Sequence, residues 1–209
     1  LQAHYPAEYI AAPLTSARDD TDKSPLNLTQ CRRMGIKLLP PDVNESQADF
    51  TPVGTDIRFG LAAIRNVGRN VVDAVVAARE DHGRFADFAD FMDAVPAVVC
   101  NKRVIESLVK AGAFDSFGYS RRSLVAVHED VVDGVVVRKR NEAIGQFDLF
   151  GGDDAGEAEQ RVEAAVVDLP EWDKPVKLGY EREMLGLYVS DHPLMGLEPL
   201  LATHTDRAI

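Results

Sequence analysis

The segment Gly60-Leu61-Ala62-Ala63-Ile64-Arg65-Asn66-Val67-Gly68-Arg69-Asn70-Val71 has the residue types of a phosphate-gripping turn. A short helix enters a hydrophobe–glycine turn and a second helix leaves it. Val67 would pack between the two helices. Gly68 would supply backbone without a side chain where a phosphate comes close. Backbone amides at the N-terminus of the second helix would point at that anion, on the side where the helix dipole favours negative charge. Such a site holds a sugar-phosphate backbone and reads no sequence. A second candidate has less clear geometry. Asn101-Lys102-Arg103 opens a helix that Lys110-Ala111-Gly112-Ala113-Phe114-Asp115 closes, with no clean copy of the first turn. The candidate contact set is therefore Gly60, Ile64, Asn66, Val67, Gly68, Arg69, Asn70, Lys102 and Arg103. The same residues also suit two ordinary capped helices ended by Gly68 and Gly112, and pattern alone leaves both readings open.

Gln146-Phe147-Asp148-Leu149-Phe150 could do a different kind of chemistry, the docking of a short peptide. Gly145 and Gly151 flank it and acidic, poorly periodic sequence follows. Exposed Phe147, Leu149 and Phe150 need a partner surface. Burying Leu149 and Phe150 in a pocket would gain about 1.5–3 kcal/mol each before ordering costs. Gln146 can donate and accept, so it would fix the register. The alternative is that these apolar residues fold back onto the helical core.

Other chemistry has little support. His4, His82, His128, His192 and His204 are scattered and show no metal spacing with Cys31 or Cys100. Asp153-Asp154 reads as part of a solvated charge run. No P-loop and no nucleophile elbow is present. Arg32, Arg33 and Lys37 cluster near Pro40-Pro41, where a nucleic-acid-facing role and a solvated helix face are equally good readings.

The elements that must hold these residues are mostly helical. Ser24-Pro25 suits a helix start, and Pro13 should break helical spacing between Tyr5 and Asp20. Phe50 to Gly60 reads as a hairpin turning near Val53-Gly54-Thr55-Asp56, with Ile57 and Phe59 on one face. Helical signals run from Gly60 to Val137, with Asn70, Asn101 and Ser120 as caps. Phe85, Phe88, Phe91 and Met92 form one apolar stripe. Asn141 to Pro175 reads as an extended, mobile acidic linker, and Lys177 to Tyr188 as a last helix. The net charge of -11 argues against nucleic acid until it is divided: residues 58–140 carry 13 basic and 11 acidic side chains, residues 141–175 only 2 basic and 10 acidic. Two cysteines fit a reducing cytosol. No apolar run reaches the roughly 18 residues that span a bilayer. Leu1 is no initiator, so the chain is expected to be a piece of something longer.

Five strings, in order, resemble bacterial DNA polymerase III alpha subunits: Arg32 to Asn44, Gly60 to Gly68, Arg103 to Asp115, Ala143 to Gly151, and Glu181 to Tyr188 leading to His192-Pro193-Leu194. The resemblance implies a mainly α fold. It divides the chain into the end of the fingers (1–58), a tandem helix-hairpin-helix region (59–118), a helix leading to a clamp-binding motif (119–150), an acidic linker (151–175) and a lead-in to an OB-fold (176–209). Gln146 to Phe150 resembles the bacterial clamp-binding pentapeptide. The implied partners are duplex DNA, the sliding clamp and other replicase subunits, with no membrane. The family's catalytic aspartates and nucleotide-binding motifs do not occur here. The resemblance therefore implies a magnesium-dependent polymerase, cytoplasmic, whose metal is held outside this chain, and a fragment with no cofactor of its own. A helix-hairpin-helix module of a repair or uptake protein, or an error-prone paralogue of the polymerase, are the alternatives. The string Pro40 to Asn44 opposes the first, and the intact Gln146 to Phe150 opposes the second.

Overall fold

The computed structural model describes residues 34–143 and 166–190. The expectations for Tyr5 to Asp20, Ser24-Pro25, Arg32, Arg33 and Gln146 to Phe150 lie outside these residues. The described part is mainly helical with one small sheet.

The expected hairpin is present. Strand β2 (Thr51–Val53) pairs antiparallel with β3 (Asp56–Arg58), and Gly54 makes the turn at φ +62°. A third strand, β1 (Leu38–Leu39), lies parallel to β3 on its other side, with Leu38 opposite Ile57. Two residues carry no periodicity, so this strand left no mark in the sequence. Pro40 and Pro41 end it. The following Asp42-Val43-Asn44 then ties the sheet to the helices. Val43 N–H donates to Ala113 O, and Asn44 exchanges two hydrogen bonds with the backbone of Phe85. Arg79 on the first long helix donates to the carbonyls of Val43 and Ser46.

A 3-10 turn (Leu61–Ala63) leads to α1 (Arg69–His82), followed by α2 (Phe88–Ala94), α3 (Lys102–Ala111), α4 (Arg121–Ala143) and α5 (Lys174–Leu185). Phe88, Phe91 and Phe114 meet edge to face at the centre of the core, and Phe85 meets Phe91 the same way. Such contacts favour aromatic pairs beyond their area alone. The expected stripe thus forms, but not on one helix: Asp87 caps α2 by accepting from the Asp90 amide, which leaves Phe85 ahead of it.

Two readings change. Asn70 does not cap α1: the cap position is Gly68, two residues earlier, and it makes no side-chain cap bond. The acidic stretch is not free up to Pro175. Residues 166–173 form no helix or strand but are anchored. Leu169 donates to Ser123 Oγ and accepts from Ser120 Oγ, and Glu171 accepts from the amides of Arg121 and Arg122. Acidic composition suggested mobility, but the anchor uses backbone groups and one carboxylate, which composition does not reveal.

Candidate nucleic-acid interface

The first hairpin owes its shape to a local backbone requirement. After the 3-10 turn the chain reverses at Asn66, which at φ +65° is the one non-glycine residue in the left-handed region among the described residues. Asn tolerates that conformation better than most residues. Its side chain is fixed as well: Asn66 Nδ2 donates to Ser107 Oγ at 3.0 Å, and Ser107 is buried on α3. Ile64 and Val67 are 2% and 6% exposed, so they hold the turn against the core rather than present side chains outward. Gly60 is required for a reason unrelated to a ligand. A Cβ there would sit 2.5 Å from the Asp49 carbonyl carbon, because the turn runs hydrogen-bonded along Gln47 and Ala48.

The outward groups are Arg65, Asn66, Gly68, Arg69 and Asn70. Gly68 has an ordinary φ of -77°, so its value lies in the missing side chain and not in backbone freedom. With no side-chain cap on α1, the amides of Arg69 and Asn70 have no intrahelical acceptor, whereas those of Val71 and Val72 bond to Gly68 O.

The second hairpin is α2, a turn at Pro96–Asn101, and α3. It solves the same problem differently. Asn101 Oδ1 accepts from the amides of Arg103 and Val104 at 3.0 and 3.3 Å, so the N-terminus of α3 is capped from within. Arg103 is exposed and lies one helical turn before Ser107. Residues four apart share a helix face. The Asn66–Ser107 bond therefore brings the turn of the first hairpin and Arg103 to one side of the molecule.

Two of the sequence-derived cations are already engaged. Arg69 makes a two-pronged pair with Asp49, at 2.9 and 3.1 Å, and that carboxylate pushes the guanidinium further toward its charged form. Lys102 Nζ lies 2.7 Å from Asp133 and 3.8 Å from Glu129, with the same upward direction caused first by Asp133. Arg65 and Arg103 form no side-chain ion pair among the described residues. Sequence reading passed over Arg65. Its signal was present, a basic residue directly before the left-handed Asn66.

Behind this surface sits a buried ionic hub. Arg121, 1% exposed, grips Asp115 with two bonds at 2.9 and 2.7 Å, donates to Lys110 O, and lies 3.5 Å from Glu181. Burial works against its charge, but Asp115 and Glu181 outweigh that and raise its pKa. Glu181 is wholly buried and also accepts from the amides of Val189 and Ser190 and the Ser190 hydroxyl. The hub locks the end of α3 to α4 and α5. Among the described residues, no group of three or more His, Cys, Asp or Glu could hold a metal, and no helix is long and apolar enough to cross a membrane. Cys100 is a buried free thiol whose pKa burial raises.

A family model described as a helix-hairpin-helix motif matches residues 35–124, from just before β1 into α4. DNA polymerase III subunit alpha of Saccharopolyspora erythraea is 58% identical over 212 residues, and that of Mycobacterium tuberculosis 54% over 211, each covering all of this chain. The chain belongs to the DNA polymerase III alpha-subunit family. It spans about 18% of the length of those two relatives. The Thermus aquaticus alpha subunit, 41% identical, matches 93% of the chain. As an alpha-subunit segment, its described part places both hairpin turns within the matched region, with α5 and the Glu181 latch following it.

Proposed function

We propose that this chain is the part of a replicative DNA-directed DNA polymerase that grips duplex backbone without reading sequence and tethers the enzyme to its sliding clamp. The observation that supports the first half is the uncapped N-terminus of α1 at an exposed glycine turn, with Arg65 and Arg103 on the same side. Amides at a helix start suit a phosphate, and few cations are needed, which accommodates the acidic total. Binding should be similar for duplexes of unrelated sequence. It should weaken with salt along a log–log slope of roughly -2 to -4, because each neutralised phosphate contributes about -0.9. Fluorescence anisotropy over a salt series measures this. Gly68→Val crowds the exposed turn, its Cβ meeting the Asn70 side-chain oxygen, and should weaken binding. A folded Gly68→Val chain that binds duplex as well as the parent would refute the assignment.

The clamp half rests on the match of Gln146 to Phe150 to the family pentapeptide and on the apolar character of Phe147, Leu149 and Phe150. Replacing Gln146, Leu149 and Phe150 with Ala should abolish binding to the cognate clamp ring while fold and duplex binding persist. Calorimetry with the clamp ring reads this directly, and unchanged affinity would sink the idea. In the same reading the whole subunit, in the cytoplasm with its partner subunits, adds deoxynucleotides to a primer using magnesium held by carboxylates outside this chain. The chain alone should then give no primer extension. A free-standing repair module fits less well, since identity to alpha subunits runs through residues well beyond the hairpins.

A further inference from the structure

Arg69 and Lys102 occupy equivalent places. Each is the first residue of the second helix of its hairpin, and neither helix has an acidic residue in its first turn. A cation there opposes the helix dipole, which favours negative charge at that end. Local rules are broken in this way where function requires it. In both hairpins the conflict is relieved by a carboxylate from another element: Asp49, ahead of β2, for Arg69, and Asp133, on α4, for Lys102. Asp49 meets the guanidinium fork with both oxygens, the geometry in which a phosphate would be held. All four side chains are substantially exposed, at 53% and 39% for the first pair and 41% and 64% for the second. Exposed pairs of this kind are weak and open readily.

From this, and resting on the duplex-binding reading above, we infer that Asp49 and Asp133 act as built-in phosphate surrogates. They hold Arg69 and Lys102 at the mouths of the two hairpins and compete with duplex phosphate for them. The acid residues thereby set the affinity low and make the salt dependence shallow, which suits a polymerase that must slide along its template. Glu129 is a second, more distant partner on the Lys102 side. Asp73 and Asp130 are neighbouring acids that act on the same cations only through space.

The test is a double-mutant cycle on the chain, read as duplex affinity over a salt series. Asp49→Asn and Asp133→Asn should each tighten binding about two- to fivefold and steepen the log–log salt slope by up to about 0.9. In the Arg69→Gln background Asp49→Asn should lose that gain, and Asp133→Asn should lose it in Lys102→Gln. Asp73→Asn and Asp130→Asn change charge by the same amount without a contact and should give less. Equal gains with and without the cation, or no gain in a parent that binds duplex, overturn the surrogate role and leave the duplex reading intact. A parent chain that binds no duplex at all overturns both.

Discussion

The two hairpins stand at equivalent places in one motif, yet the first leaves the start of its second helix open and the second closes it. α1 has no side-chain cap, whereas Asn101 satisfies two amides of α3. The far end of α3 is also built in, through Gly112, Asp115, Arg121 and Glu181. Burial divides along the same line. The outward residues of the first turn, Arg65 to Asn70, are exposed except Val67, while α3 is largely enclosed by α4 and α5. The difference is one of construction: the second hairpin is the base on which Ser107 fixes Asn66, and the first leaves the start of its second helix without a side-chain cap.

The strongest way to break this comparison is to damage the base. Arg121→Ala leaves Glu181 buried without its cation, and losing one partner of a buried pair costs about 3–5 kcal/mol, less here to the extent that the Val189 and Ser190 amides and the Ser190 hydroxyl still hold the carboxylate. Gly112→Ala should act on the same hub, since φ is +86° and a Cβ would come within 2.2 Å of Arg121 Nη2. Urea unfolding should show both losses, and any molecules still folded should retain duplex binding. If Arg121→Ala unfolds at the parent's urea concentration, the hub does not carry the base.

Caps sharpen the comparison at smaller scale. Asn101→Ala should cost about 1 kcal/mol, the usual loss of a capping side chain. Asn70→Ala should stay within about 0.5 kcal/mol, as an exposed residue with no capping bond. Thermal melts of the two variants side by side decide it. Equal losses would mean that the first turn is capped in solution and that its amides are not free.

The sequence carried the hairpin at Gly54, the aromatic core residues, the Asn101 and Ser120 caps and the first helix-hairpin-helix turn, because each depends on local chemistry. It also carried the mainly α class, through periodicity. What it missed depends on partners far along the chain. Asn44 with Phe85 and Arg121 with Glu181 are separated by 41 and 60 positions, and no spacing rule links them. Arg69 and Lys102 were legible as cations but not as paired ones, since Asp49 and Asp133 lie on other elements. Gly60 reads as a ligand contact, and a close approach of two backbones already requires a glycine there. Its sequence signal is the same in either case.

The smallest expected effect concerns acid. Glu171 reaches back from the strap at residues 166–173 to receive the first two amides of α4, together with the Trp172 amide and Lys177. Partial burial pushes its pKa up, but those donors prevail and hold it below its ordinary value of 4.5. A carboxylate with a depressed folded-state pKa contributes stability that is fully present above its unfolded value and is lost as pH falls through the folded one. Between neutral pH and about 4.5 the strap should therefore stay in place, and further acidification should release it. Hydrogen exchange reads this locally: protection at the Arg121 and Arg122 amides should fall below that range, while Val71 and Val72, bonded to Gly68 O, keep theirs. Glu171→Gln retains an acceptor without the charge, so its protection at those amides should be lower at neutral pH and independent of acid. Loss of protection at α1 and α4 together, at one pH, would mean that acid unfolds the whole chain rather than releasing the strap.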